Sequence, residues 1–215
     1  MSSSVLLDTC ALSYLRLPKK YPEVVEYVAT RQYVYASAAT YYELSKGYFS
    51  QGFVERPLSK EIQRFYSDLV SEKVLTVIPI DRGTAELWGI LNAAAVSYPD
   101  EPRNCGQECP RTRRHRKAER LLLDMLVAAT SLAHGLPIVT SNIIDFMSIS
   151  EFAQLPGLYD PVTCKWHIPP AETRAFKCKF GEGTRFELEP NASGAGCAVP
   201  SADRRQQPVA MPAVF

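Results

Sequence analysis

Short apolar runs and stripes of helical period alternate along this chain from its first residues. Val5-Leu6-Leu7 is a continuous apolar run of the kind a strand buried on both faces presents, and it ends in a carboxylate, Asp8. Helical spacing follows over residues 9–17 until Pro18 stops it, and returns over 21–30, where Val24, Val25 and Val28 share a face. Tyr33-Val34-Tyr35-Ala36 reads as the next strand. Ser37 is placed to cap a helix carrying Ala38, Ala39, Tyr42, Glu43 and Leu44, with Gly47 as its expected end. Ser59 opens a further helix through Ile62, Phe65, Tyr66, Leu69 and Val70, residues 74–80 form a β-rich run, and Asp81 is placed to cap a helix holding Leu87, Trp88, Ile90 and Leu91. Prolines 99, 102 and 110 then break the periodicity, so residues 97–117 read as a loop or insertion. The pattern resumes as a strongly apolar helix over 118–134, with Gly135 as its C-terminal stop and Leu136-Pro137-Ile138-Val139-Thr140 as the next strand, Pro137 near its start. After Asp145-Phe146 the sequence predicts a loop and a last, weak strand over 161–166.

Strands alternating with helices imply an α/β domain: parallel pairing, crossover helices on both faces, and ligands beyond the carboxyl ends of the strands. The length of 215 residues suits one domain with an appendage, and the 46% hydrophobic and 22% charged composition is that of a globular chain. Residues 190–215, rich in Ala, Pro, Gly, Ser and Gln, read as largely disordered, and residues 176–188 before them are a hairpin candidate. The expected organisation is therefore a folded unit over 1–168, interrupted by an insertion over 97–120, and an extension over 169–215. No apolar run approaches the ~20 residues of a membrane span, and the strand-like start leaves no room for a secretion leader, so a cytoplasmic address is expected. Six scattered cysteines do not form a disulfide framework.

Three acids stand in apolar surroundings: Asp8 closes a strand, Glu43 lies inside a helix, and Asp124 interrupts Leu121-Leu122-Leu123-Asp124-Met125-Leu126. An ionised carboxylate taken out of water costs several kcal/mol unless it is paired or bound to a cation. A helix cap or a buried pair with Arg or Lys explains any one of them. No basic residue adjoins Asp8 or Asp124 in sequence, and a shared hard cation, Mg²⁺ or Mn²⁺, answers all three at once. Such ions orient a water and neutralise charge in phosphodiester displacement. Thr9 and Thr140 are candidates to orient the carboxylates through their hydroxyls, a satisfied turn hydroxyl being the alternative.

In this order, Val5-Leu6-Leu7-Asp8-Thr9, Tyr42-Glu43-Leu44-Ser45-Lys46-Gly47, Asp124-Met125-Leu126-Val127-Ala128-Ala129-Thr130 and Val139-Thr140-Ser141-Asn142-Ile143-Ile144-Asp145-Phe146 resemble the blocks of PIN-domain ribonucleases of the VapC type, the toxins of VapBC toxin–antitoxin pairs. The resemblance spans residues 3–168. It implies a three-layer α/β/α sandwich around a short central parallel sheet, and an Mg²⁺- or Mn²⁺-dependent endoribonuclease with Asp8, Glu43, Asp124 and Asp145 as catalytic residues. By the same resemblance Asp8 and Asp124 would hold the metal, and Asn142 falls where members carry Asn or Asp. An RNA substrate, a cognate antitoxin that blocks the acidic groove and a homodimer are implied as well.

The chain also departs from that pattern. Cys10 replaces the usual Asn or Ser, and its thiol reads as a small buried hydrophobe rather than a nucleophile. Between Arg103 and Arg120 seven Lys or Arg face two Glu, a local charge of +5, and Arg111, Arg113, Arg114, Arg116 and Lys117 are candidates to bind RNA phosphates, a solvated charged face being the plain alternative. Cys105 and Cys109 beside His115 fall short of the four ligands a structural zinc requires. Two rival functions compete with the nuclease. An aspartyl-phosphate phosphatase needs a second acid two residues after the first, where Cys10 stands. A non-catalytic or processing RNA-binding PIN domain without a toxin role stays open.

Overall fold

The computed structural model describes residues 4–52, 57–97 and 121–170. The basic insertion, the cysteine pair at 105 and 109 and the extension beyond residue 170 lie outside the described residues. Six strands form one sheet in the order β3-β2-β1-β4-β5-β6. In chain order they are β1 (Ser4–Leu7), β2 (Tyr33–Ser37), β3 (Thr76–Ile78), β4 (Ile138–Val139), β5 (Leu158–Asp160) and β6 (Lys165–Ile168). The helices are α1 (Thr9–Leu15), α2 (Pro22–Ala29), α3 (Ala38–Gly52), α4 (Pro57–Ser71), α5 (Arg82–Ser97), α6 (Leu122–His134) and α7 (Ile143–Ser150).

The apolar run at the N-terminus is continuous because β1 is covered on both faces. Side chains alternate across a strand, so Val5 and Leu7 join a core with α1, α2 and α4, while Leu6 joins another with α5, α6 and α7. Ile138 and Val139 of β4 split the same way, as do Leu158 and Tyr159 of β5. The result is the expected three layers, helices on either side of a sheet. β1 pairs in parallel with both β2 and β4, and β4 in parallel with β5. Among the described strands only β6 runs antiparallel, closing a hairpin with β5.

Several expected boundaries are corrected. α3 runs through Gly47 to Gly52, because one helical glycine costs about 1 kcal/mol and neighbouring turns outweigh it. The stretch after Asp145 is not a loop but α7, which buries Phe146 and Ile149 completely. The single weak strand over 161–166 resolves into the β5–β6 hairpin, whose turn is held by Asp160 accepting from the Val162 amide and the Thr163 hydroxyl. β3 and β4 are shorter than their apolar runs: beyond β3 Ile80 is exposed, while Pro137 and Thr140 on either side of β4 still bond the neighbouring strands, Pro137 O accepting the Leu6 amide at 2.9 Å and the Thr140 amide donating to Tyr159 O at 3.0 Å. The caps stand as expected: Ser37 Oγ accepts the Thr40 amide at 3.0 Å and Asp81 Oδ1 the Thr84 amide at 2.7 Å. Gly135 ends α6 with φ 64°, the left-handed conformation glycine adopts without strain.

Strand order reverses beside β1: the chain goes from β1 to β2 on one side and returns through β4 on the other. Such a switch point opens a crevice outside the carboxyl ends of the two central strands. Asp8 follows β1 and Thr140 follows β4, so the topology alone places both there.

Candidate active site

The Asp8 amide donates to Val139 O at 3.0 Å and its carbonyl accepts the Leu12 amide at 3.0 Å, so the residue joins the end of the sheet to the first turn of α1. Its side chain makes no capping hydrogen bond. It is turned instead into the interior, with 4% of its surface exposed. Thr140 Oγ1 donates to Asp8 Oδ2 at 2.8 Å and Cys10 Sγ donates to the same oxygen at 3.3 Å. Burial is the dominant influence on this carboxyl and pushes its pKa above the ordinary value; the Thr140 hydroxyl, the thiol of Cys10 and the nearby amides of Thr9 and Cys10 pull the other way. Among the described residues no ion pair involves Asp8. Its charge is thus balanced by neutral donors, and among the described residues no Arg or Lys pairs with it.

The structure brings Glu43 to the same place by one step. Thr9, the first residue of α1, donates its hydroxyl to Glu43 Oε2, joining α1 to α3 beside Asp8. Asp124 stands in the first turn of α6 and Asp145 in the first turn of α7, both half-buried. Asp145 follows β4 across the short turn 140–142 and so lies toward the carboxyl end of that strand, as Asp8 does of β1, whereas α6, which carries Asp124, does not directly follow a strand. Asp124 and Asp145 each engage other groups. Among the described residues, no three His, Cys, Asp or Glu side chains stand close enough together to hold a metal ion. Of the four acids, Asp8 and Glu43 are brought near one another through Thr9, the chain neighbour of Asp8, whose hydroxyl donates to Glu43.

Of the supporting residues, Thr140 and Thr9 each orient a carboxylate directly. Asn142 precedes α7 and contributes its amide, which donates to Thr140 Oγ1 at 2.9 Å. The thiol of Cys10 is not the plain hydrophobe its sequence context suggests. Besides donating to Asp8 it accepts the Ser141 amide at 3.2 Å, and Tyr14 OH meets Ser141 Oγ at 2.8 Å. Burial, with Asp8 second, pushes the Cys10 pKa up, so it stays a thiol and a poor nucleophile. The spacing of Cys10 and Tyr14, one helical turn apart on α1, was the available signal; that they meet Ser141, 127 residues beyond Tyr14, was not readable locally.

A PIN domain profile matches residues 5–146. The chain belongs to the PIN domain family. No curated protein matches it significantly. Among solved structures, FitAB bound to an IR36 DNA fragment aligns at 17% identity with a TM-score of 0.51, covering 76% of this chain and 99% of that one. VapBC2 from Rickettsia felis bound to a promoter DNA fragment aligns at 18% identity and TM-score 0.47, covering 67% and 92%. VapBC-1 from nontypeable Haemophilus influenzae aligns at 18% identity and TM-score 0.49, covering 69% and 93%. At 17% identity the likeness to FitAB speaks to fold alone. Among the described residues of this PIN domain, no helix is long and apolar enough to cross a membrane.

Proposed function

We propose that this PIN domain is a divalent-cation-dependent endoribonuclease, acting in the cytoplasm as the toxin of a toxin–antitoxin pair. The observation that carries the catalytic part is Asp8: a carboxylate sunk at the switch point of a parallel sheet, offset by hydroxyl, thiol and amide rather than by a cationic side chain. A protein tolerates that arrangement where a cation completes it. The donor set suits a hard ion, all oxygen and anionic, with Glu43 held one residue away through Thr9. Asp8 and Asp124 are the proposed ligands of Mg²⁺ or Mn²⁺, and Glu43 and Asp145 complete the acidic set. When bound, the ion supplies charge neutralisation at the scissile phosphate and activation of water.

The chain's own residues do the positioning. Thr140 fixes Asp8 Oδ2, Thr9 fixes Glu43, and the Asn142 amide fixes Thr140. Arg111, Arg113, Arg114, Arg116 and Lys117 are proposed to meet RNA phosphates, which would make binding weaken with salt. The antitoxin partner and a homodimer rest on the sequence resemblance. A second reading, a binding domain without catalysis, is favoured by one observation: the acids are not gathered into a ready-built cage among the described residues.

One assay separates the two. A structured RNA is incubated with the wild-type protein and Asp8→Asn, in Mg²⁺ and in EDTA. Cleavage should require Mg²⁺ and fall by at least about 100-fold in the variant, the scale on which loss of one electrostatic stabiliser acts. Cleavage indifferent to both chelation and substitution would defeat the proposal, and binding without any cleavage would establish the second reading.

A further inference from the structure

We propose that Cys10 is a positioning residue of this site: with Tyr14, it clamps the turn between β4 and α7 and so holds Thr140, and the start of the helix that carries Asp145, in place against Asp8. The inference rests on the nuclease reading above.

Two parallel relays meet at one oxygen. The Ser141 amide donates to Cys10 Sγ at 3.2 Å, and Cys10 donates to Asp8 Oδ2 at 3.3 Å. The Asn142 amide donates to Thr140 Oγ1 at 2.9 Å, and Thr140 donates to Asp8 Oδ2 at 2.8 Å. The thiol and the hydroxyl each own a single proton, and both protons are directed to the carboxylate. The 3.1 Å approach of Cys10 Sγ to Thr140 Oγ1 is then the closeness of two groups converging on the same acceptor. Both donated amides come from consecutive residues of the turn just before α7. Displacing that turn therefore loosens both relays together.

The turn is gripped a second time. Tyr14 OH meets Ser141 Oγ at 2.8 Å, and the Tyr14 ring stacks on Tyr21 with centroids 4.1 Å apart, which restrains its own swing. Cys10 and Tyr14 lie on one face of α1, four residues apart. One rigid helix thus holds Ser141 by its backbone through sulfur and by its side chain through the phenol. An alanine at position 10 would occupy most of the space and supply neither the donor nor the acceptor. A serine would keep both, with a shorter reach.

The test uses the full chain and the variants Cys10→Ala, Cys10→Ser, Tyr14→Phe and Asp8→Asn. Mn²⁺ affinity is measured without RNA by electron paramagnetic resonance titration, kcat and KM on RNA, and the thermal midpoint in EDTA. Loss of a group that orients a metal-site carboxylate typically costs about 10- to 100-fold in affinity or activity. Cys10→Ala is expected at the low end, about 10-fold in both Mn²⁺ affinity and kcat with KM for RNA unchanged, Cys10→Ser should recover most of it, and Tyr14→Phe should move both readings the same way by about 3-fold. Cys10→Ala and Tyr14→Phe within twofold of wild type in Mn²⁺ affinity and kcat, beside an inactive Asp8→Asn, would overturn the clamp and leave the nuclease reading standing. So would losses that follow only the thermal midpoint and are equal in Cys10→Ala and Cys10→Ser. Should Asp8→Asn itself bind Mn²⁺ and cleave as wild type does, the nuclease reading fails first. If Cys10→Ala does not fold, Cys10→Ser and Tyr14→Phe decide by the same two readings.

Discussion

Asp8→Asn should make the metal-free protein more stable at neutral pH while destroying its activity. The carboxylate is 4% exposed and no cationic side chain among the described residues offsets it. Desolvating an ionised carboxylate costs several kcal/mol even after relaxation. Against that stand two side-chain hydrogen bonds to Oδ2, at 2.8 Å from Thr140 and 3.3 Å from Cys10. Hydrogen bonds to a charged group return about 1.5–3 kcal/mol each, and the long thiol contact less. The amide carbonyl of asparagine can accept both donors, so most of the hydrogen bonding survives and the desolvation of a charge disappears. The expected gain is about 1–3 kcal/mol, or roughly 2–10 °C in the thermal midpoint for a chain of this size.

The pH dependence distinguishes this cause from any other. Burial raises the folded-state pKa of Asp8 above the unfolded value. Below the unfolded pKa the group is neutral in both states and wild type suffers no penalty. As pH rises from there through the folded pKa, the folded state holds a proton longer than the unfolded one, and stability is lost. The gap between variant and wild type should be small near pH 4 and open towards pH 7. Thermal and urea unfolding in EDTA across that range measure it, with the slope of the urea transition checked for constancy. Adding Mg²⁺ should raise the wild-type midpoint and leave the variant unmoved. A variant less stable than wild type at pH 7 in EDTA, or a gap independent of pH, would refute the reasoning.

Two further substitutions test the packing. At Gly157 a Cβ would stand 3.1 Å from Pro137 Cβ, 3.2 Å from Pro170 Cα and 3.2 Å from Trp166 Cζ3, two of these ring or backbone atoms unable to swing aside. Gly157→Ala should cost about 1–3 kcal/mol in urea unfolding, the usual range for overpacking, and a neutral result would mean the β5–β6 hairpin lifts away freely. Tyr27 OH is buried with no hydrogen-bond partner among the described residues, although its ring stacks on Tyr159 at 4.0 Å and lies under the Arg31 guanidinium at 4.2 Å. Tyr27→Phe keeps both ring contacts and removes the orphaned hydroxyl, so it should be neutral or stabilise by about 1 kcal/mol. A clear loss of stability there would show that the hydroxyl has a partner.

The layers were legible because their causes are local. Val5-Leu6-Leu7 lacks polar alternation only because both faces of β1 are covered, and the caps at Ser37 and Asp81 declare themselves by residue type. What escaped was decided at a distance. Gly47 is a plausible stop that the surrounding helix overrides, and α7 is short; its start carries Asn142, a residue type that caps helices, although Asn142 makes no side-chain cap hydrogen bond in the structure. The antiparallel turn of β6 depends on Asp160, an acid that reads like any other until its turn partners are seen.

The site divides along the same line. That Asp8 follows β1 and Asp145 follows β4 can be read from spacing, and parallel topology then puts both toward the carboxyl ends of the strands. How close they stand is not a property of spacing. Like charges in a low-dielectric crevice repel by several kcal/mol when nothing lies between them. Among the described residues Asp8 is met by the Thr140 hydroxyl and the Cys10 thiol, and Glu43 by the Thr9 hydroxyl. The same physics makes the buried charge of Asp8 costly and a cation welcome: the arrangement that weakens the empty fold is the one that gives a metal its binding energy. The stability gain expected of Asp8→Asn and the cation requirement expected of cleavage are therefore one prediction seen from two sides, and failure of the first removes the physical ground for the second.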